Sequence, residues 1–357
     1  MTDEGSLKDG ETRVQRCSEF YGRLRAVVAK SVVGHEKLIE QLMIAILARG
    51  HMLLTGAPGV GKTLLLRCMA EATRLDFSRV RCTPDLMPTD LFGPEIGASA
   101  ADSCSPIAAG AGSQGAGDRR EVTSTLSANF ILVEDIDRAP PKTQWALMEA
   151  MEQREVFTDG AIHRLPTPFF LLAAENPWDR EDTCLLRQAT LDRFLMHVRV
   201  DYPSQEDEWE IARRVTFGQR APIEVVAAPE EILSFQELVT KEPLSDPVLQ
   251  CARALVRASR PNSEEAPGFV DRWVAWGAGP RGLVALVACA KARAFLRGRR
   301  ETKVADVRAV APAVLRHRIA PNEVAEAEAI SSDTLVEMLI EAARSENGTI
   351  PGVPGIE

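Results

Sequence analysis

The sequence predicts an α/β domain built on a parallel sheet, followed by an all-α domain. Three observations predict it. The glycine-rich stretch Gly56, Ala57, Pro58, Gly59, Val60, Gly61, Lys62, Thr63 lies between an apolar run at residues 52–54 and a segment of helical character at 63–70. Two uninterrupted apolar runs, residues 130–133 and 169–174, read as strands buried on both faces, as parallel sheets require. Beyond Pro203 the pattern is helical only, so the boundary falls near that proline.

Bulk composition narrows the class. The chain has 357 residues, 45% hydrophobic and 26% charged, which is enough for two domains with a core each. Its net charge of −9 argues against a nucleic-acid backbone as the main partner, because that partner needs a basic footprint. Seven cysteines, scattered without paired spacing, read as reduced and mostly buried thiols. The N-terminus is polar and acidic, so no signal peptide is expected, and no apolar run approaches a membrane span. A cytoplasmic location is the expectation.

Taken in order, residues 1–10 predict a disordered tail. Residues 11–30 set Val14, Cys17, Phe20, Tyr21, Leu24 and Val27 on one helical stripe, and tail and helix make an N-terminal unit over 1–30. A turn at 32–36 opens a second helix, 37–49, with Leu38, Leu42, Ile44, Ala45 and Leu47 buried on more than one side. The first strand, the glycine-rich turn and a helix to about Arg74 follow, then a short strand at 77–81. Residues 96–117 are largely Ala, Gly and Ser and cannot bury enough surface to offset their ordering entropy, so a mobile insert is expected over about 94–128. After the strand at 130–133, Pro140-Pro141 starts a helix with Trp145, Ala146, Leu147, Met148 and Met151 as packing residues. Asp159-Gly160 between two β-rich runs predicts a hairpin. The last strand is 196–200, and helices are expected at 205–217, 229–239, 245–259, 280–297, 304–316 and 331–344.

Strand, glycine-rich turn and helix is the context in which G-x-x-x-x-G-K-[ST] binds phosphate. Glycines let successive N–H groups converge, and the helix N-terminus adds its partial positive charge. Lys62 would reach the β- and γ-phosphates, and the Thr63 hydroxyl would ligate Mg²⁺. Glu134 and Asp135 end a buried strand, where carboxylates hold Mg²⁺ and activate water, or else cap the next helix. Asn176 ends another strand, where an amide orients water, or starts a turn with Pro177. Arg193, between an acid and a strand, reads as a surface ion pair. Arg281 lies in the first turn of a helix, where a cation opposes the dipole unless an anion is bound there.

Together these residues resemble the AAA+ superfamily and, within it, the MoxR family. The resemblance runs from about residue 33 to 343, through "VVGHEKLIEQLMIAILARGHMLLTGAPGVGKT", "TPDLMPTDLFG", "DRAPPKTQWALMEAMEQREV", "ENP…LDRF", "WGAGPR" and "LRHRI". It implies an AAA+ nucleotide-binding domain over 31–203, a helical lid over 204–345 and a flexible tail over 346–357. It also implies ATP and Mg²⁺ as cofactors, with Gly56 to Thr63 as Walker A, Glu134 and Asp135 as Walker B, and Thr63 and Glu134 on the metal. Asn176 would be sensor 1, Arg193 an arginine finger acting on the neighbouring subunit, and Arg281 sensor 2. Members form rings, commonly hexamers, and act as chaperone-like ATPases on protein clients, often with a von Willebrand A domain.

The sequence departs from that pattern in four places. The family's Asp-Glu in Walker B is inverted to Glu134-Asp135. Asp137 and Glu175 stand where Asn and Gln are usual. The insert is the Ala/Gly/Ser stretch followed by residues 119–129, and Arg187-Gln188-Ala189 replaces Pro-Glu-Ala. The inversion predicts ordinary ATP affinity with slow turnover. The runner-up is an ATP-binding assembly scaffold or switch with little hydrolysis. A ring motor on nucleic acid is disfavoured by the acidic balance.

Overall fold

The computed structural model describes residues 3–92, 125–158, 161–176, 184–216 and 222–343. The Ala/Gly/Ser stretch, the hairpin turn at Asp159-Gly160 and the C-terminal tail fall outside them.

Two helices, α1 (Asp3–Ala29) and α2 (Glu36–Leu47), precede β1 (Met52–Gly56) and α3 (Lys62–Ala72). Next come β2 (Phe77–Arg81), α4 (Pro88–Phe92), β3 (Phe130–Glu134), α5 (Pro141–Gln153) and the antiparallel hairpin β4 (Glu155–Thr158) and β5 (Ala161–Arg164). β6 (Phe170–Glu175), α6 (Gln188–Leu191) and β7 (Met196–Val200) complete the α/β part. The sheet order is β2-β3-β6-β1-β7, all parallel. The chain leaves β1 for the far edge at β2, works back through β3 and β6, then crosses over β1 to β7. β1 therefore stands at the topological switch point, and its C-terminal end opens the crevice where such sheets bind ligands.

Alternation along the strands sorts the core into two layers. Met52, Leu54, Phe130, Leu132, Phe170, Leu172, Met196 and Val198 face one side with α1, α2 and α3. Leu53, Ile131, Val133, Leu171 and Ala173 face the other, against α5 and the hairpin. Each fully buried leucine or phenylalanine contributes roughly 1.5–3 kcal/mol. α2 is buried from Leu38 to Leu47 on several sides, and the predicted stripe of α1 is buried throughout.

The chain after β7 is helical except for one small feature: α7 (Gln205–Thr216), α8 (Pro229–Lys241), α9 (Asp246–Ala258), α10 (Gly268–Trp273), β8 (Val274–Trp276), α11 (Pro280–Leu296), α12 (Val304–Leu315), β9 (Ala320–Pro321), α13 (Glu323–Ala327) and α14 (Ser332–Ala342). β8 and β9 form a two-stranded antiparallel ribbon, which corrects the helices-only expectation. Strands this short carry no period to read in the sequence.

Three further expectations are corrected. The first helix begins at Asp3, because a helix nucleated by the packed stripe from Val14 onward propagates at little cost. Within the expected insert, Leu126 and Ala128 are fully buried beside β3, so the packed chain resumes there. The two parts also do not have separate cores. α11, buried on nearly all sides, packs on α1 and α2 as well as on α9 and α12, and one apolar cluster runs from the sheet face through the helical part. Polar ties accompany it: Gln236 donates to the Ile46 carbonyl at 2.7 Å, and Arg297 grips Glu40 at 2.9 and 3.1 Å.

Candidate active site

The glycine-rich loop turns at Gly59 and Gly61, with φ of 82° and 87°, conformations that side chains with a Cβ rarely adopt. Gly61 caps α3, so the helix N-terminus and the preceding amides face one place. Gly56 is required for a different reason: a Cβ there would lie 2.6 Å from the Val200 carbonyl of β7. Ala57 and Val60 are buried beneath the loop, and the Val60 carbonyl meets His35 Nε2 at 2.5 Å. Lys62 Nζ donates to the Gly56 carbonyl at 2.9 Å. Burial draws the Lys62 ammonium below its usual range, with Glu134 and Asp135 pushing back.

Facing the loop is a wall of acids. Thr63 Oγ1 donates to Glu134 Oε1 at 2.8 Å, while Arg79 donates to Glu134 Oε2 through Nη2 at 2.5 Å and Nε at 2.9 Å. Asp135 has φ of 55° and ψ of 45°, a left-handed conformation that Asp tolerates better than most residues. Its Oδ2 lies 3.3 Å from Arg81 Nε. Arg79 and Arg81, two apart on β2, therefore each hold one acid of the pair.

β6 ends in Glu175, and Asn176 follows it. Thr55 Oγ1 lies 3.3 Å from Glu175 Oε2 and 2.6 Å from His197 Nε2. Burial, and then the charge of Asp137, push the Glu175 carboxyl up to about 7 against the Thr55 hydrogen bond. The resulting cavity of about 460 Å³ is lined by Pro58, Gly59, Gly61, Lys62 and Thr63 on one side. Arg79, Arg81, Glu134, Asp135, Glu175 and Asn176 line the other. The Thr63 hydroxyl and the Glu134 carboxylate, already adjacent, are hard oxygen donors. Together they leave most of a coordination shell to water and phosphate, which fits Mg²⁺.

Arg193 and Arg281 do not line this cavity. Arg193 lies under the Trp145 ring, its guanidinium carbon 4.8 Å from the centroid, and its Nε is 3.3 Å from Glu152 Oε1. Arg281 Nη2 reaches the same Oε1 at 2.7 Å, with Asp192 Oδ2 at 3.9 Å. Trp145 is thus 60% exposed, not a packing residue as its helical position predicts, because its face covers an arginine. Sequence reasoning missed Arg79, Arg81, Glu152 and Arg318. The last is buried, bonds Asp192 at 2.9 Å and the Phe194 carbonyl at 2.6 Å, and ties the helical part to the Arg193 turn. Its only sequence signal was its place in "LRHRI".

The profile of the ATPase family associated with various cellular activities (AAA) matches residues 51–196, and that of the AAA lid domain matches 270–339. Chaperone MoxR1 of Mycobacterium tuberculosis is 34% identical over 315 residues, 88% of this chain and 79% of that protein. The chain belongs to the MoxR family of AAA+ ATPases. Protein MoxR of Methylorubrum extorquens is 33% identical over 88% of this chain and 91% of its own length. A crystal structure of a candidate ATPase from Cytophaga hutchinsonii superposes with a TM-score of 0.83 at 31% identity, covering 94% of this chain and 98% of that one. The MoxR resemblance read from the motifs is therefore correct, as is the order of α/β core and helical lid. No helix among the described residues is long and apolar enough to cross a membrane.

Proposed function

We propose that this MoxR-family chain binds Mg·ATP in the cavity at the end of β1 and hydrolyses it slowly within a ring, commonly a hexamer in this family, to remodel or activate a protein client. The observation that carries ATP binding is the convergence of the loop amides, Lys62 and the Thr63–Glu134 pair on one cavity. Lys62 and the amides would hold the phosphates, Thr63 and Glu134 the metal, and Asn176 would orient the attacking water. Bound Mg²⁺ would neutralise charge on the transferring phosphoryl group.

Assembly is supported by where Arg193 lies. Arg193 stands on Glu152 outside the chain's own cavity, which supports a finger acting on a neighbour's nucleotide, and Arg281, on the same carboxylate, would be sensor 2 on the lid. A chaperone-like role on a protein client, possessing a von Willebrand A domain or not, is supported by the name of the Mycobacterium tuberculosis relative. Slow turnover is supported by Asp135, which is one methylene shorter than the usual Glu and faces Arg81.

That last contact also favours the runner-up, an ATP-binding scaffold with little hydrolysis. One experiment separates the two: phosphate release measured beside sedimentation in the presence of ATP. The ring ATPase reading expects ATP-dependent assembly with slow, measurable release. Assembly without release identifies the scaffold, and a monomer at all ATP concentrations overturns the ring.

A further inference from the structure

Three carboxylates line the nucleotide cavity, and they differ in what holds them. Glu134 is engaged by Thr63 and Arg79, and Asp135 by Arg81. No ion pair reaches Glu175 among the described residues. Among the described residues its one side-chain hydrogen bond comes from Thr55 Oγ1 at 3.3 Å. The third acid therefore enters the cavity without a cation to quench it.

Behind Glu175 stands a short polar path. Thr55 pairs with Glu175 in the parallel register of β1 and β6, and its hydroxyl meets His197 of β7 at 2.6 Å. With the carboxylate ionised, His197 Nε2–H donates to Thr55 and the Thr55 hydroxyl donates to Glu175. With Glu175 protonated, the hydroxyl and the imidazole tautomer reverse and the same two bonds run the other way. The path suits the ionised carboxylate better, because the reversed arrangement sets the imidazole proton on Nδ1, which has no partner among the described residues.

We propose that Glu175 is a catalytic carboxylate of this cavity, taking the proton of the water that attacks the γ-phosphate, with Thr55 and His197 as its positioning residues. This rests on the ATPase reading above. The water oxygen forms its bond to phosphorus as the bond from phosphorus to the β,γ-bridging oxygen breaks, and that electron pair leaves on ADP. The proton passes to Glu175 and then to solvent. An amide at this position, as in the usual Gln, accepts no proton, so the substitution adds a capacity that the shortened Asp135 lacks. A carboxyl whose affinity for protons centres near 7 is matched to this task. Asp137 raises that affinity and Thr55 lowers it, while His197 stays neutral. Lys62, Arg79, Arg81, Glu134 and Asp135 are the other charged groups around the cavity.

The test is the pH profile of phosphate release by the natural protein, Glu175→Gln and Thr55→Val, with ATP affinity measured by calorimetry. Glu175→Gln should lower kcat at least about tenfold, keep affinity within about twofold and lose the rise in rate through neutrality. Thr55→Val should keep that rise but move it to higher pH, because the lost hydrogen bond favours the ionised form. A Glu175→Gln protein that turns over at the natural rate with the rise intact overturns the proposal and leaves the ATPase reading standing. A natural protein that binds ATP and releases no phosphate at any pH overturns both.

Discussion

Arg193 and Arg281 bond the same oxygen of Glu152, at 3.3 and 2.7 Å. One arginine comes from the turn before β7 and the other from the first turn of α11, so the contact joins α/β core and lid at a single carboxylate. Arg281 opposes its helix dipole there, and the anion that compensates is Glu152 of the chain itself. Asp192 is a second carboxylate of the cluster, and with Arg318 bonded to it three guanidiniums face two carboxylates, which leaves a net positive site that a phosphate group can engage.

That arrangement predicts complementation between variants. Arg193→Ala should lower hydrolysis about 10³-fold while sparing ATP binding, the magnitude seen where such fingers act in trans. Mixed with Lys62→Ala protein, it should recover part of its activity, since each variant supplies what the other lacks. Phosphate release from the mixture is the measurement. No recovery at any ratio would count against shared sites.

Lys62→Ala should abolish tight ATP binding and leave the fold intact, because Lys62 is the only charged side chain of the loop itself. Calorimetry with ATP reads the loss, and an unchanged thermal midpoint confirms the fold. Unchanged affinity would remove the phosphate-binding assignment.

The inverted Walker B order predicts slow turnover. Each exchange moves a carboxylate by one methylene, and a misplacement of about 1 Å can cost on the order of 10²-fold. The double variant Glu134→Asp, Asp135→Glu should raise kcat at least about tenfold, or roughly 1.4 kcal/mol of barrier. In that background Glu175→Gln should cost less than in the natural protein. A double variant slower than the natural chain would show that the left-handed backbone at Asp135 suits Asp alone.

Acid should destabilise the protein well above the range where its surface carboxylates titrate. His51 and His197 are held neutral by burial, drawn down to about 4 and about 3, and His317 is pushed well below its usual value for the same reason. The unfolded chain takes up a proton on each as pH falls through about 6.5, and the folded chain does not. Each histidine therefore costs on the order of 1–2 kcal/mol between pH 7.5 and 5.5. Glu175, drawn up to about 7, works in the opposite direction, since the folded chain binds its proton first. The net loss should be on the order of 2 kcal/mol, read as a lower urea midpoint at pH 5.5. A midpoint that rises on acidification would refute it.

Much of the site was legible because its chemistry is local. Gly56 to Thr63 would act through backbone amides and two side chains within one turn, so spacing alone describes them. The acids at Glu134 and Asp135, and the amide at Asn176, announce themselves by ending apolar runs. Arg79 and Arg81 share a strand face, but nothing in β2 says that the face meets β3's acids. Trp145 occupies a helical position that predicts burial, and only the arrival of Arg193 from the turn after α6 explains its exposure.

The sequence by itself determined the parallel α/β core, the helical part that follows it, the phosphate-binding loop and the family, because periodicity and contiguous motifs are properties of neighbours along the chain. Tertiary structure alone decided which acid meets which cation, that Glu175 has no ion pair among the described residues, and that Arg193 and Arg281 share Glu152. It also decided that one face of the core and the lid share an apolar cluster, through α1 and α2 packed on α11. Those facts depend on residues as far apart as Thr55 and His197 or Glu152 and Arg281. Their juxtaposition is set by strand order and helix packing, which no local spacing encodes.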